Sequence, residues 1–438
     1  MMLRFILPLM LALAALPLRA DVAIKEVVSP GGITAWLVED HTIPFTALEI
    51  RFRGGASVEP SEKRGATNLM TALLEEGAGD LDAREFSRAR DGLAASFRYS
   101  VSDDAVSVSA QFLTENRDEA VELLRQSMIS PRFDGEAIER VRAQVLSGLR
   151  SDEKDPRSLA SRRFDATIYG AHPYGSSLSG TIETVSALTR EDLVTAHAGS
   201  MARDRIYVSA VGDITAEDLS SLLDLMLGDL PASGAAMPRT AELTFPGGVD
   251  VVDFPTPQSV VRFAQPGIGQ QDPDFFAAFI LDHILGGGGF ESRLMTEVRE
   301  KRGLTYGINT FLADRDHAQI WGGSFASAND RVAEAVEVIR TEWAKLRDEG
   351  VTQQDLDSAK TYLTGAYPLR FDGNGTIANI IVGMQINGLP IDYPATRNDK
   401  VEAVTLDDIN RVAATRLDLD SLSFVVVGQP EGLDATSN

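Results

Sequence analysis

Ala187-Leu188-Thr189-Arg190-Glu191-Asp192-Leu193, followed after a helical stretch by Arg205-Ile206-Tyr207-Val208-Ser209-Ala210-Val211-Gly212, has a counterpart at the far end of the chain. There the sequence reads Ala403-Val404-Thr405-Leu406-Asp407-Asp408-Ile409 and then Ser421-Leu422-Ser423-Phe424-Val425-Val426-Val427-Gly428. Leu193 and Ile409 lie 216 positions apart, as do Gly212 and Gly428 (409 − 193 and 428 − 212). Two unlike landmarks repeated at one offset mark a duplicated domain. Each copy closes with a threonine suited to cap a helix, an acidic first turn, an amphipathic helix and a β-branched strand ending on glycine.

Working outward, the copies correspond more loosely. Ala137-Ile138-Glu139-Arg140-Val141 opens a long helix in the first, as Asp355-Leu356-Asp357-Ser358-Ala359 does in the second. Asp118 to Leu124 resembles Val332 to Ile339, both with apolar residues at i, i+3 and i+4. Leu230-Pro231-Ala232-Ser233-Gly234-Ala235-Ala236-Met237-Pro238, rich in proline, glycine and small residues, reads as the connection between copies. The expected division is therefore 1–20, 21–230, a linker at 231–239, and 240–438. Runs such as Ala47 to Phe52 and Val106 to Phe112 alternate in the manner of half-buried antiparallel strands. The expected fold is α+β, two duplicated domains, each an antiparallel-rich sheet covered on one face by helices.

The 438 residues are 44% hydrophobic, enough for two globular domains of about 200 residues. A net charge of −23 repels nucleic acid and makes basic or neutral peptides easier partners, although acidity also serves solubility. The opening MMLRFILPLMLALAALPLRA joins a basic start, an apolar run broken by Pro8, and Ala20 at a cleavage position, which reads as an export signal with the mature chain beginning near Asp21. An uncleaved anchor is the alternative, and the broken, short run argues against it. With no cysteine there is no disulfide framework, thiolate metal site or lipid-accepting cysteine. No later segment reaches the roughly 20 continuous apolar residues of a membrane span. The expected location is outside the cytoplasm, in a bacterial periplasm.

The second half carries Gly286-Gly287-Gly288-Gly289-Phe290-Glu291-Ser292-Arg293-Leu294-Met295-Thr296-Glu297-Val298-Arg299-Glu300-Lys301-Arg302-Gly303-Leu304-Thr305-Tyr306-Gly307. Gly303 supplies a left-handed helix stop before the chain re-enters extended structure. This stretch resembles the second-domain signature of the pitrilysin/insulinase family of zinc peptidases, a helix ending in R-E-K-x-G-L before a strand that starts with tyrosine. The resemblance implies that Arg299 and Tyr306 reach the active site of a zinc-bearing domain and contact the peptide. The residue types suit that role: Tyr306 offers a neutral donor to a developing oxyanion, and Arg299 a fork of donors to peptide carbonyls. Gly286 to Gly289 lack the Lys and Ser/Thr of a phosphate loop, and read instead as a flexible or close-approach loop beside a peptide groove.

In the first half, Gly65-Ala66-Thr67-Asn68-Leu69-Met70-Thr71-Ala72-Leu73-Leu74-Glu75-Glu76-Gly77 resembles the family's metal-binding helix. The inverted H-x-x-E-H motif there falls on Asn68, Thr71 and Ala72, and the third ligand, a glutamate on the following long helix, falls on Gly148. An amide, a hydroxyl, a methyl and a hydrogen do not make a zinc site, which needs imidazole, thiolate or carboxylate donors. A one-residue slip does not rescue it, because His41, His172, His197, His283 and His317 never fall within one helical turn of each other. His172, in the turn Ala171-His172-Pro173-Tyr174-Gly175, reads as structural. No calcium loop appears, and Gly322-Gly323-Ser324-Phe325-Ala326 misses the nucleophile-elbow pattern.

The resemblance implies the non-catalytic subunit of a bacterial two-subunit zinc peptidase, akin to the mitochondrial processing peptidase. Such a chain has no metal of its own; zinc is expected in a homologous partner, and unfolded peptides are expected in a shared chamber, commonly added as a strand to a sheet edge. The alternative is a non-proteolytic assembly protein of the same fold. A self-sufficient peptidase is disfavoured by the lack of a histidine pair.

Overall fold

The alternating runs of each half pair into a mixed sheet, and the amphipathic segments lie against it. The structure, a computed structural model, describes residues 23–433; the expected export signal lies outside the described residues. The first half contributes β1 (Lys25–Val28), β2 (Thr34–Glu39), β3 (Phe45–Arg53), a two-residue hairpin of β4 (Gly77–Ala78) and β5 (Leu81–Asp82), then β6 (Ser96–Val101), β7 (Ala105–Leu113) and β8 (Ile206–Gly212). The second contributes β9 (Val249–Asp253), β10 (Gln258–Pro266), β11 (Ile308–Arg315), β12 (Ala318–Ala328) and β13 (Ser423–Gly428). The first sheet runs β1-β2-β8-β3-β7-β6, and the second, read from β9, runs β9-β13-β10-β12-β11. That is the order β2-β8-β3-β7-β6 again, with β1 added at one edge. The β2/β8 and β9/β13 pairs are parallel and the remaining pairs of both sheets antiparallel. The duplication seen at the 216-residue offset thus extends to strand order and direction.

The first-half helices are α1 (Ala66–Ala72), α2 (Ala83–Gly92), α3 (Arg117–Ile129), α4 (Gly135–Asp152), α5 (Pro156–Tyr169), α6 (Ile182–Ala187), α7 (Arg190–Ser200) and α8 (Ala216–Leu227). The second half has α9 (Phe275–Asp282), α10 (Val332–Glu349), α11 (Gln353–Ala366), α12 (Asn374–Ile386), α13 (Tyr393–Ala403) and α14 (Leu406–Arg416). The repeated Thr-x-x-Asp closes a capping box at α7 and α14. Asp192 N donates to Thr189 Oγ1 at 3.3 Å and Thr189 N to Asp192 Oδ2 at 2.8 Å, and the Thr405/Asp408 pair does likewise at 3.1 and 3.0 Å. The strand that follows ends on glycine for a steric reason. Gly212 holds φ +128°, and a Cβ there would lie 2.2 Å from the Phe45 carbonyl oxygen.

Strand alternation assigns the two faces of each sheet. In β3, Leu48, Ile50 and Phe52 join the core formed with α1, α3 and α8, including Leu69, Leu124 and Leu223. In β10, Val261 and Phe263 do the same with α9, α10 and α14; there the Phe263, Trp321 and Trp343 rings pack at 6.0–6.1 Å. Each half's own helices therefore cover one face, as the patterning implies. The opposite face meets a single helix from the other half. Phe164, Ile168 and Tyr169, on or at the end of α5, pack on Ala264, Ile320 and Val425 of the second sheet. Ala378, Ile381 and Met384 of α12 pack on Trp36, Ala47 and Val211 of the first. Ser209 Oγ donates to the Ala378 carbonyl and Gln385 Nε2 to the Val208 carbonyl, both at 2.7 Å, tying α12 to β8.

An ionic junction also joins the halves. Asp103, in the β6–β7 turn, accepts from Arg64 Nη2 and from Arg315 Nη2, each at 2.5 Å. Arg64 is buried, and the Arg315 guanidinium lies 3.5 Å from the centre of the Tyr174 ring, whose hydroxyl donates to Asp104. The stretch 231–239 carries no regular element; Arg203 N donates to Pro231 O at 2.9 Å and Ala235 N to Gly199 O at 2.8 Å.

Candidate functional site

Tyr306 is held out by its neighbours. Beyond the π-helical turn Met295–Glu300, Gly303 takes φ +62° and its N–H donates to the Arg299 carbonyl at 2.8 Å, while Leu304 N donates to Val298 O at 2.9 Å. The buried Thr305 hydroxyl bridges the Ala326 carbonyl (2.7 Å) and the Gly307 N–H (3.1 Å). That local turn delays the strand: β11 begins at Ile308 rather than at the tyrosine expected from sequence. With Leu304 and Thr305 buried on one side and Ile308 on the other, Tyr306 is 86% exposed, and its phenol has no hydrogen-bond partner among the described residues.

Tyr306 stands on a groove of about 510 Å³ between α5 and the second sheet. Arg157 and Ser161 form one wall, and Arg262, Asn309 and Ser324 the other; no acidic side chain lines it. Arg262 Nη1 donates to Ser161 Oγ at 2.6 Å and its guanidinium covers the Phe164 ring at 5.0 Å. One turn beyond Ser161, burial raises the Asp165 carboxyl to about 6 against the pull of Arg262 and Arg315. The groove cations were missed in the sequence; the available signal was an arginine on the outward register of the apolar strand β10.

Arg299 does not line this groove. Its guanidinium lies 4.9 Å from the Phe290 ring centre, while the neighbouring Lys301 and Arg302 both pair with Glu297, at 2.6 and 2.7 Å. Arg299 itself makes no ion pair among the described residues. The glycine run is packed more tightly than a loose loop. Gly286 and Gly287 belong to the π-helical turn His283–Gly287, and a Cβ on Gly286 would meet Thr310 Oγ1 at 2.6 Å. Gly289, at φ +64°, faces open space. None of the four glycines lines the groove beside Tyr306.

The positions resembling a zinc motif lie on α1 and α4, which pack together. Asn68 is half-buried, Thr71 buried, Ala72 and Gly148 exposed. The Thr71 hydroxyl is buried without a hydrogen-bond partner, but one hydroxyl, one amide and no imidazole or carboxylate do not fit a zinc ion. Among the described residues no three His, Asp or Glu side chains are grouped to hold a metal. The start of α1 is instead held by the buried Glu59, which accepts from Gly65 N at 3.0 Å and from Thr67 N. Folding does bring two histidines together: the His172 and His317 rings lie 5.7 Å apart across the two halves. They make no metal site, because His172 Nδ1 accepts from Tyr174 N (3.2 Å) and Nε2 faces the Arg239 carbonyl (3.0 Å). Burial lowers the His172 pKa.

No helix among the described residues is long and apolar enough to cross a membrane. Two family models match the chain: Insulinase (Peptidase family M16) over residues 34–182, and Peptidase M16 inactive domain over residues 187–363. A Helicobacter pylori protein named non-peptidase homolog YmxG is 26% identical over 97% of this chain and 98% of its own length. A probable mitochondrial-processing peptidase subunit beta of Schizosaccharomyces pombe is 24% identical over 96% of this chain and 94% of its own. The crystal structure of a peptidase M16 inactive domain from Pseudomonas fluorescens superposes with a TM-score of 0.87 at 26% identity, covering 94% of this chain and 100% of that one. Matched along both halves, the chain belongs to the insulinase family, M16, and among its described residues the zinc-motif positions carry no zinc ligand set.

Proposed function

We propose that this chain is the metal-free subunit of a two-chain zinc metallopeptidase. Its partner is a zinc-bearing homologue, and unfolded peptides are bound in the chamber between the two. This chain supplies Tyr306 and Arg299 to the partner's active site. The observation that carries the reading is the free Tyr306 phenol, propped into solvent between buried anchors in a chain whose own zinc positions hold no ligands. An exposed tyrosine with no internal bond has its donor available, and a neutral hydroxyl suits an oxyanion that develops only in the transition state. Arg299, resting on Phe290 without a carboxylate, keeps its outer N–H groups for peptide carbonyls. Gly286 to Gly289 enter the reading as close-approach backbone beside the peptide. In this reading the chain comprises two family units, 21–230 and 240–438, joined at 231–239. Removal of residues 1–20 and residence in a bacterial periplasm complete it; mass spectrometry of exported protein tests the new terminus near Asp21.

A second reading, a non-proteolytic assembly protein, is favoured by the name of the H. pylori relative, a non-peptidase homolog. Zinc analysis together with a peptide-cleavage assay separates the two. The chain alone is expected to hold no stoichiometric zinc and cut nothing, and a mixture with a zinc-bearing homologue to cut peptides faster than that homologue alone. A mixture no faster than the homologue alone removes the peptidase reading. About one tightly held zinc on the isolated chain removes both.

A further inference from the structure

A second cavity, of about 310 Å³, opens where α9, α12 and α13 meet the loop after α11. Its walls are aromatic, with Phe279 from α9, Tyr367 beyond α11 and Tyr393 at the start of α13. Arg397 of α13 is set among them. It is only 5% exposed, and its guanidinium lies 4.6 Å from the Tyr367 ring centre and 5.4 Å from that of Phe279. Nη1 donates to the Leu363 carbonyl at 2.8 Å and to Asn398 Oδ1 at 3.0 Å, and no carboxylate among the described residues pairs with it. Arg370, exposed at the mouth, is a second cation with no ion pair among the described residues. Asn379 accepts from Arg51 Nη2 at 2.6 Å through its side-chain oxygen, and its NH2 group remains to donate. The nearest acids on α9's approach are occupied elsewhere, Asp272 with Arg416 at 3.0 Å and Asp274 with Arg411 at 2.7 Å.

A nearly buried guanidinium without a counter-charge is costly, and an entering anion relieves that cost. In a protein of net charge −23, a concave site lined by two arginines and no acid selects against most of the molecule's own surface chemistry. Aromatic walls around a few fixed donors are the make-up of a small-ligand site, and this volume is at the small end for one. We infer that the α9–α12–α13 cavity binds a carboxylate carried on an apolar group, the carboxylate on Arg397 and Arg370 and the apolar body between Phe279, Tyr367 and Tyr393. Such a ligand is either a free aromatic acid or the C-terminus of a peptide ending in a large apolar residue. The site is separate from the Tyr306 groove and does not depend on a partner chain.

Calorimetric titration of the full chain tests this with N-acetylphenylalanine, N-acetylphenylalaninamide and a pentapeptide ending in phenylalanine. The acid is expected to bind saturably and the amide at least tenfold more weakly. Arg370→Gln, an exposed substitution that should leave the melting temperature unchanged, is expected to weaken the acid about tenfold and leave the amide unaffected. Arg397→Gln should abolish discrimination if it folds, and Arg370→Gln keeps the test decisive if it does not. Tighter binding of the pentapeptide than of N-acetylphenylalanine assigns the site to peptide termini, and the reverse assigns it to free acids; either supports the site. Equal affinity for acid and amide, or no saturable binding of either acid at millimolar concentration, overturns it.

Discussion

Two helices cross between the halves, and the contacts they make differ. The α12 crossing carries apolar contacts along the helix, from Ala378 through Ile381 to Met384 on Trp36, Ala47 and Val211, and it is stitched by hydrogen bonds from Ser209 to Ala378, from Gln385 to Val208 and from Arg51 to Asn379. The α5 crossing is apolar only toward its C-terminal end, at Phe164, Ile168 and Tyr169. Toward its N-terminal end Arg157 and Ser161 leave the sheet uncovered, and the groove beside Tyr306 opens there. A duplicated architecture has thus been sealed on one side and left accessible on the other. The accessible side is instead fastened at its far end by ions, through Arg64, Asp103 and Arg315.

The largest effect is expected from breaking that ionic fastening. Asp103→Ala leaves the buried Arg64 and the partly buried Arg315 without their shared carboxylate and should cost about 3–5 kcal/mol in chemical denaturation. A loss under about 1 kcal/mol would mean that the apolar patch alone holds the α5 side. On the sealed side, Ile381→Ala removes a fully buried side chain and should cost about 2–4 kcal/mol, with no change in any ligand binding at the groove.

Tyr306→Phe sharpens the functional half of the comparison. In the mixed peptidase it should lower turnover about 10²-fold with the melting temperature unchanged, since the hydroxyl has no hydrogen-bond partner among the described residues. Full activity in this variant would leave the groove without a catalytic purpose.

Asp282 gives a pH test within the second core. Burial raises its carboxyl to about 6 although Trp321 Nε1 donates to it at 2.7 Å. Between about pH 4 and 6 the native chain holds a proton there that the unfolded chain has released. Stability therefore falls as pH rises through that window and stays lower above it. Asp282→Asn keeps an acceptor for Trp321 and should remove that slope, gaining about 2–3 kcal/mol at pH 8 relative to pH 4. An unchanged pH profile would show that the carboxyl is charged in the fold.

The smallest effect is a gain. Gly148 sits mid-helix in α4 with nothing within 4 Å of a Cβ, so Gly148→Ala should stabilise by about 0.5–1 kcal/mol. Thermal denaturation decides it, and a loss instead would mean that the glycine is needed for a contact made outside this chain.

Much of the fold was legible because it is written locally and twice. The Thr-x-x-Asp boxes at Thr189 and Thr405, the strands ending at Gly212 and Gly428, and the alternation of β3 and β10 depend on neighbours a few residues away. The departure from the zinc motif was legible for the same reason: Asn68, Thr71, Ala72 and Gly148 carry no imidazole, thiolate or carboxylate whatever surrounds them. The Tyr306 segment was legible as a pattern, but the exposure of its phenol was not, because Thr305 is anchored by the distant Ala326. Tertiary structure alone decided which half each crossing helix covers, since α5 and α12 have no local signal for a sheet in the other copy. It decided that Arg157 and Arg262 share a groove, that His172 meets His317, and that Arg397 is buried among aromatic rings without a counter-charge. Sequence determines what each residue can offer and the local period it follows; only the packing of distant segments determines which offers are met and which remain open.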